Sequence, residues 1–376
     1  MRRYDFAVIG AGIAGASAAY ELQQYGSVLL LEREALPGQH TTGRSAAFLV
    51  ESYGNAAVQR LTRASRKFFQ DPPDGFADGP LVMPRASLWI ARPDQRLRLA
   101  AQAKQAALAG IELQAVDGDE ARRLCPVLRE GYAASGVVEP DAKSIDVAAL
   151  LAGFLRGFRA RGGQVATHAE VTGLRRQSSS WEISCASERY TAGTVINAAG
   201  AWADRIGRLA GARRIGLRPL RRTAITFDPP QGANIQHWPC LIDADEDFYL
   251  KPEGAQLLAS PCDETPSEPC DAAPDDLGVA LAADRVKRAT TLELRSIRRR
   301  WAGLRSFVAD RSPVIGMDPE CDGFCWLAGQ GGFGIMTSPA AARAAAACIV
   351  DGCLPADLDE LGLLPRHVSP ARPELR

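Results

Sequence analysis

Three glycines near the start of the chain, Gly10, Gly12 and Gly15, have the G-x-G-x-x-G spacing of a phosphate-binding turn. The first glycine permits a tight strand-to-helix turn, the second lets a pyrophosphate approach the backbone, and the third allows close helix packing. Glu32 follows about 20 residues later, where a carboxylate can accept hydrogen bonds from ribose hydroxyls. This spacing predicts dinucleotide binding. The expected contacts are Gly10, Gly12, Ile13, Ala14, Gly15 and Glu32.

The glycines can do this chemistry only if particular elements hold them. Residues 4–9 form a short apolar run that predicts a buried parallel strand, and an Ala-rich helix is predicted after the turn. A second strand, over residues 27–31, ends at Glu32. The helix would offer its unpaired N–H groups and the positive end of its dipole to phosphate. This order of elements separates the motif from a chance glycine-rich turn.

The segment over residues 33–47 is rich in Gly, Ser and Thr, so a large cofactor could lie across its backbone. A chain that binds NAD usually continues as further βα units, which this segment does not. The pattern therefore favours FAD. The predicted contacts are Arg33, Thr41, Thr42, Arg44, Ser45, Ala46 and Ala47.

Two later segments also run from an apolar strand into small residues, at positions 193–203 and 324–338. The second is a glycine loop that leads into an Ala-rich helix, whose dipole could stabilise negative charge on a reduced flavin. Both segments are expected to approach the cofactor. The further predicted contacts are Val171, Ala199, Gly200, Trp202, Gly303, Arg305, Gly331, Gly332, Phe333, Gly334, Ile335 and Thr337.

Composition excludes several classes of protein. Of 376 residues, 46% are hydrophobic and 23% charged, which is ordinary for a globular chain. The 44 Lys and Arg balance the 44 Asp and Glu, so the chain has no electrostatic footprint for nucleic acid. No apolar run approaches the roughly 18–20 residues that span a bilayer, so no transmembrane segment is expected.

The cysteines and histidines predict no metal site. Nine Cys, an odd number, include no C-x-x-C pair, and the four His are scattered along the chain. Reduced thiols in a reducing compartment explain this usage, which favours a cytoplasmic location.

The motifs together resemble those of the D-amino-acid oxidase-like FAD oxidoreductases, and most closely those of bacterial FAD-dependent D-arginine and broad-specificity D-amino-acid dehydrogenases. The resemblance covers nearly the whole chain. It is carried by VIGAGIAGAS, LEREALPGQHTTGRSAA, INAAGAWAD, FYLKP, RWAGLRSFVAD and GQGGFGIMTS.

The resemblance implies oxidation of the Cα–N bond of a small amino acid or amine. Hydride would pass from Cα to flavin N5, and the resulting imino acid would hydrolyse to a 2-oxo acid and ammonia. FAD is expected to bind non-covalently, because nothing marks a residue that tethers it. The electron acceptor stays open between O₂, a quinone and other acceptors.

The resemblance also implies a substrate site. Arg222 and Arg305 lie where the family binds the substrate carboxylate, a task that suits a planar guanidinium. Tyr53 and Tyr249 lie where the family has tyrosines that hydrogen-bond the substrate, and Tyr53 belongs to a potential lid over residues 46–54. The remaining expected pocket residues are Phe48, Val50, Ser87, Trp89, Gly332 and Met336.

Three pocket positions depart from the D-arginine type. Ser87 stands where those enzymes carry a carboxylate for the distal cation, and Phe48 and Met336 replace a His and a Gln. Ser87 cannot hold a guanidinium by charge pairing, and the adjacent residues 88–91 are apolar. These changes predict neutral or apolar D-amino acids as substrates. With no His as an obvious base, the substrate would bind as the neutral amine.

Two alternatives remain open at this stage. A secondary-amine oxidase of the sarcosine, glycine or opine type would use the same fold and the same carboxylate-binding arginines. A flavin-binding subunit without its own turnover is the second alternative, and the retained arginines and tyrosines argue against it.

The predicted fold is α/β (α+β), with a Rossmann-like FAD-binding domain and a discontinuous substrate domain built on an antiparallel sheet. Residues 1–45, 142–212 and 301–376 are assigned to the FAD-binding domain, and residues 46–141 and 213–300 to the substrate domain. Helices are predicted over residues 146–161, with Asp146 as N-cap, and over residues 285–294.

Overall fold

A computed structural model describes residues 2–186 and 188–375 of the chain. Within these residues it contains nine α-helices and twenty β-strands. In chain order the helices α1 to α9 are Ile13–Leu22, Ala56–Gln70, Arg96–Leu108, Gly118–Leu124, Val147–Ala160, Ala203–Ala210, Asp276–Ala289, Gly334–Val350 and Ala356–Glu360. The strands β1 to β20 are Arg2–Ile9, Val28–Leu31, Phe48–Leu49, Val82–Pro84, Ser87–Ala91, Gln114–Asp117, Ser135–Glu139, Lys143–Ile145, Gln164–Ala166, Val171–Gln177, Ser180–Cys185, Arg189–Asn197, Arg218–Phe227, Cys240–Asp243, Tyr249–Glu253, Gln256–Ser260, Thr265–Pro266, Ile297–Phe307, Val314–Met317 and Phe324–Ala328.

The first sheet is built on parallel strands, as the apolar run at residues 4–9 predicts. Strands β9, β2, β1, β12 and β20 lie side by side and parallel, and β10, β11 and β19 add antiparallel pairs. Strand β2 is buried along its whole length, which suits a strand covered on both faces. The turns after β1, β12 and β20 therefore meet at one edge of the sheet.

Helix α1 packs against α5 and α8 on one face of this sheet. Buried alanines dominate the contact, and Ala16, Ala341 and Ala344 are almost completely buried. Small side chains let helices approach closely, so the helices that begin at the two glycine loops lie next to each other.

The second sheet has nine strands. It runs β17-β13-β16-β15-β14-β5-β7-β6, with β18 also paired to β13. All its pairs are antiparallel except β14 with β5. The combination of a Rossmann-like sheet and a largely antiparallel sheet confirms the predicted fold class.

The short strands β3, β8 and β4 form a third sheet between residues 48 and 145. The domain boundaries predicted above stay a prediction. One observation bears on them: β18 pairs with β13 in the second sheet, and it crosses the predicted boundary at residue 300.

The two predicted helices had different outcomes. Helix α5 begins after Asp146, whose side chain accepts a hydrogen bond from the Ala149 N–H at 2.8 Å, as the N-cap prediction requires. The helix predicted over residues 285–294 is misplaced, because α7 covers Asp276–Ala289. Asp275 caps that helix through the Gly278 N–H, and the preceding acidic, Pro-rich stretch hid this start. In residues 2–186 and 188–375, no helix is long and apolar enough to cross a membrane.

We expect Asp146→Ala to destabilise the protein by about 1 kcal/mol, because the first turn of α5 would lose its side-chain acceptor. Chemical denaturation of the FAD-loaded protein, followed by fluorescence, would measure the change. Asp74→Ala is the control, since Asp74 is exposed in a turn. Equal midpoints for the two variants would contradict the assigned cap.

Candidate active site

The glycine turn after β1 shows why its glycines are required. Gly10 has φ +99°, and a Cβ there would lie 2.6 Å from the Ala198 carbonyl oxygen. A Cβ on Gly15 would lie only 1.8 Å from the Gly10 carbonyl oxygen. Side chains at these positions would force the turn apart.

Glu32 helps to hold this turn. One carboxylate oxygen accepts the Ala11 N–H at 2.8 Å and the other accepts the Glu34 N–H at 3.0 Å. Thr42 reaches the same turn, because its hydroxyl accepts the Ile13 N–H at 3.0 Å. The turn is thus fixed by side chains from two other segments.

A long cavity starts at this turn and runs between β2, β10 and the turn after β12. We call it the nucleotide cavity. Arg33 stacks on the Trp202 ring at 4.7 Å, and His40 lies 4.9 Å from the same ring. The His40 Nε2 also lies 2.9 Å from the Glu34 carboxylate, and its Nδ1 has no hydrogen-bond partner. The predicted contacts in its wall are Gly10, Gly12, Glu32, Arg33, Thr41, Thr42, Val171, Ala199, Gly200 and Trp202.

A second cavity, the central cavity, shares Gly12, Thr42 and Gly200 with the first. It passes between the segment over residues 41–46 and the loop over residues 330–335. The predicted contacts in its wall are Gly12, Ile13, Ala14, Thr41, Thr42, Arg44, Ser45, Ala46, Gly200, Arg222, Tyr249, Gly303, Arg305, Gly331, Gly332, Gly334 and Ile335.

The segment over residues 41–44 is tied to β18. The Thr41 hydroxyl donates to the Leu304 carbonyl at 2.8 Å, and Arg44 donates to the carbonyls of Ala272 and Ala302. Arg44 also pairs with Asp271. Its guanidinium therefore links two chain segments to each other, although its side chain lines the central cavity.

A third cavity, the inner cavity, continues from the central cavity at Arg305, Tyr249 and Gly332. The predicted residues in its wall are Ser45, Ala46, Ala47, Phe48, Val50, Tyr53, Tyr249, Arg305, Gly332, Ile335 and Met336. Five side chains that sequence reasoning did not select also line it. These are Cys240, Ile242, Glu246, Lys251 and Cys262.

Strand pairing explains how the two arginines come together. In the β13–β18 pair, Arg222 lies opposite Gly303, and Arg305 lies opposite Leu220. Arg222 and Arg305 are therefore diagonal neighbours on the same face of the sheet, where Cβ atoms lie roughly 7–8 Å apart. A Cβ on Gly303 would lie 3.5 Å from the Arg44 Cβ and 3.9 Å from the Thr41 Cα, so glycine here lets the segment over residues 41–44 pack against β18.

The guanidinium of Arg222 is only partly satisfied. Its side chain is 7% exposed, and one nitrogen donates to the Glu264 carboxylate at 3.3 Å. Its Nε and Nη1 have no partner. Glu264 also pairs with Arg311, and although burial opposes its charge, this pairing lowers the pKa of the carboxyl. Arg222 thus presents unused donors at the central cavity.

Arg305 keeps its charge beside the inner cavity. Its Nη1 donates to the Tyr53 hydroxyl at 3.4 Å, and Tyr53 in turn donates to the Glu246 carboxylate at 2.7 Å. Burial opposes the charge, but the neighbouring phenols of Tyr53 and Tyr249 and the Cys262 thiol raise the pKa of Arg305. Burial raises the pKa of Tyr249 to about 12, so this phenol stays protonated near neutral pH.

Five predicted contacts lie outside these three cavities. Gly15 lies behind the glycine turn, and the Thr337 hydroxyl donates to the Phe333 carbonyl within α8. Trp89 and Phe333 line a separate outer cavity on the far side of Tyr53. Ser87 is fully buried in β5 without a hydrogen-bond partner.

Of the charged residues in the inner cavity that sequence reasoning missed, one had a recognisable sequence signal and the other had none. Lys251 follows Tyr249 by two residues on one strand, so the strand period alone places both on one face. Glu246 reaches the site from a turn, with φ +57°, and no pattern marks it. Within the described residues, no group of three His, Cys, Asp or Glu could hold a metal ion.

The geometry fits FAD. The glycine turn and the nucleotide cavity provide a cradle whose tight backbone has no room for side chains at Gly10 and Gly15, and the central cavity extends it past a second glycine loop. A dinucleotide site that opens into a buried cavity with two arginines defines a dinucleotide-dependent oxidoreductase. The chain belongs to the family described as "FAD dependent oxidoreductase", whose sequence model matches residues 5–348. FAD is therefore its cofactor.

Individual relatives are distant. The chain is 26% identical to mitochondrial sarcosine dehydrogenase of Mus musculus over 368 residues, covering 92% of this chain and 39% of that protein. It is 24% identical to glycine oxidase of Bacillus licheniformis over 354 residues, covering 90% and 91% of the two chains. The fold is also that of glycine oxidase from Geobacillus kaustophilus, with TM-score 0.83, 21% identity and coverage of 94% and 95%.

We expect Gly15→Ala to yield protein with much less bound FAD, because the added methyl group must displace the Gly10 carbonyl. The ratio of absorbance at 450 nm to that at 280 nm after purification measures FAD content. Gly79→Ala is the control, since nothing lies within 4 Å of its added Cβ. Full FAD content in the Gly15 variant would refute the role of this turn.

Proposed function

We propose that the chain uses FAD to oxidise small amino acids with a substituted nitrogen, that is, secondary amines of the sarcosine type. The observation that carries the proposal is the pair Arg222 and Arg305 in the cavity walls: Nε and Nη1 of Arg222 have no hydrogen-bond partner, and Arg305 donates to the Tyr53 hydroxyl and pairs with no carboxylate of the described residues. A buried, unpaired guanidinium is costly unless an anion joins it. A substrate carboxylate supplies that anion by bidentate hydrogen bonds.

The residues of the inner cavity have distinct tasks. Arg305 would bind the carboxylate, and the protonated Tyr249 phenol could donate a further hydrogen bond to it. These contacts orient the carbon that carries the nitrogen. Bound FAD supplies the capacity to accept two electrons from the substrate.

The side chains in the cavity walls show whether a protein base is available to take a proton from the substrate amine. Among the described residues, neither the central nor the inner cavity has a histidine in its wall. A substrate that enters as the neutral amine needs no such base, because its nitrogen already has a free lone pair.

The secondary-amine assignment draws on two supports. The sarcosine dehydrogenase and the glycine oxidases compared above align with nearly the whole of this chain. The wall formed by Phe48, Val50, Ile242 and Met336 is apolar, so it suits an N-methyl group. The chain spans 39% of the length of the sarcosine dehydrogenase.

A second candidate is the oxidation of neutral D-amino acids, which the motifs suggest and which the same apolar wall would accommodate. Anaerobic mixing of the purified yellow protein with sarcosine, glycine, opines and D- and L-amino acids separates the two by the bleaching of the flavin. Bleaching by D-alanine or D-phenylalanine but not by sarcosine would reverse the order. Bleaching by none of them would favour a flavin-binding subunit without its own turnover.

We expect Arg305→Met to lower kcat/KM by the equivalent of about 2–5 kcal/mol, because the substrate carboxylate would lose its charged partner. Stopped-flow reduction of the flavin and steady-state assays would measure it. Arg299→Met is a matched control, since Arg299 lies on the same strand and is exposed. Unchanged kinetics in the Arg305 variant would refute the carboxylate assignment.

We expect the activity to rise with pH as the substrate amine loses its proton. Burial holds the pKa of Tyr249 at about 12, so its phenol stays neutral across the working range. The midpoint of the rise should therefore move with the amine pKa of the substrate and persist in Tyr249→Phe. A midpoint that ignored the substrate and vanished in Tyr249→Phe would contradict this.

A further inference from the structure

We propose that Lys251 binds a second carboxylate of the substrate, so that the preferred amines carry two acid groups. This inference rests on the proposed function and narrows its substrate class. It makes Lys251 a specificity-determining residue of the inner cavity.

Lys251 and Arg305 occupy different parts of the inner cavity. Arg305 also lines the central cavity, whereas Lys251 lines the inner cavity alone and lies 5.9 Å from the centre of the Phe48 ring. Tyr249 precedes Lys251 by two residues on β15, so both side chains project from one face of the sheet. The cavity thus has a second cation beyond the tyrosine.

The ammonium of Lys251 has unused donors. The residue is 4% exposed, and its Nζ donates to the Glu253 carboxylate at 2.5 Å. An ammonium group has three N–H donors, and Glu253 uses one of them. The Glu253 side chain is half-exposed at the end of the strand, where water can solvate it. Two donors therefore remain for an anion in the cavity.

The row of residues beside Lys251 has no charged side chain between Lys251 and Glu139. Ser87 pairs with Cys240, and the Leu241–Leu250 pair places Cys240 beside Lys251 on the next strand. The Ser87 and Cys240 side chains are small, and the fully buried Ser87 hydroxyl has no hydrogen-bond partner. Among the described residues that line the inner cavity, Glu246 supplies the carboxylate, and it accepts a hydrogen bond from Tyr53.

Glu139 lies opposite Ser87 on the next strand, so its side chain is on the same face of the sheet as this row. Its carboxylate accepts the backbone N–H groups of Glu51 at 2.7 Å and Ser52 at 3.1 Å. These hydrogen bonds occupy the Glu139 carboxylate, which Ser87 and Cys240 separate from Lys251.

The ligand that satisfies both cations is an amine with two carboxylates. One carboxylate would pair with Arg305 and the other with Lys251, by charge-assisted hydrogen bonds. The second acid group could sit on the nitrogen substituent, as in iminodiacetate, or on the side chain, as in D-aspartate. The probes separate these two sources.

The test compares kcat/KM of the FAD-loaded enzyme for iminodiacetate, D-aspartate and sarcosine. We expect at least one dicarboxylate to exceed sarcosine, and Lys251→Met to lower the ratio of dicarboxylate to sarcosine efficiency at least tenfold. Lys287→Met, an exposed lysine on α7, should leave the ratio unchanged.

Two further variants keep the test decisive if Lys251→Met fails to fold. Ser87→Glu adds a carboxylate to the row and should lower the ratio. Glu253→Gln frees the ammonium from its competing partner and should lower KM for the dicarboxylate. If Lys251 serves only to pair with Glu253, Glu253→Gln would instead lower the melting temperature without moving KM, and the proposal would be overturned.

The outcomes also separate this inference from the proposed function. Bleaching of the flavin by sarcosine, with a ratio that none of these variants moves, would overturn the role of Lys251 and leave the proposed function standing. No bleaching by sarcosine or either dicarboxylate would overturn both.

Discussion

The site depends on two guanidinium groups buried next to each other. Burying one such charge without a partner is costly, and two that are diagonal neighbours also repel each other. In the described residues, Glu264 pairs with one nitrogen of Arg222, and Arg305 contacts a phenol. Two nitrogens of Arg222, Nε and Nη1, have no hydrogen-bond partner, and this constraint is the basis of the proposed carboxylate binding.

The β13–β18 pair carries these arginines and also anchors the cofactor segment. Thr41 and Arg44 bond to carbonyl groups of β18, and the Trp301 indole donates to the Arg44 carbonyl at 3.0 Å. The strand that carries Arg305 therefore contacts the segment that lines both dinucleotide cavities. Side-chain donors on both segments hold the contact by bonding to backbone carbonyl groups of the other segment.

Access to the inner cavity is shaped by the Tyr53 segment. Glu139 holds the backbone of residues 51 and 52, and Tyr53 and Glu246 line both the inner and the outer cavity. Burial raises the pKa of Glu139, although the hydrogen bonds from residues 51 and 52 oppose this shift. The Tyr53–Glu246 hydrogen bond thus stands between the two cavities.

The sequence by itself determined the glycine turn, because that turn depends on local backbone geometry and on a short motif. The roles of Glu32, Arg222 and Arg305 stay predictions. The sequence also supported the fold class through strand–helix order. Only the tertiary structure decided that Ser87 lies behind the cavity wall, that Arg44 bridges two segments and that Glu246 and Lys251 line the inner cavity. The placements of Ser87 and Lys251 depend on the register between strands distant in sequence, and a shift of one residue would turn each of these two side chains to the opposite face. Arg44 and Glu246 reach their positions from turns, which the packing of distant segments holds in place.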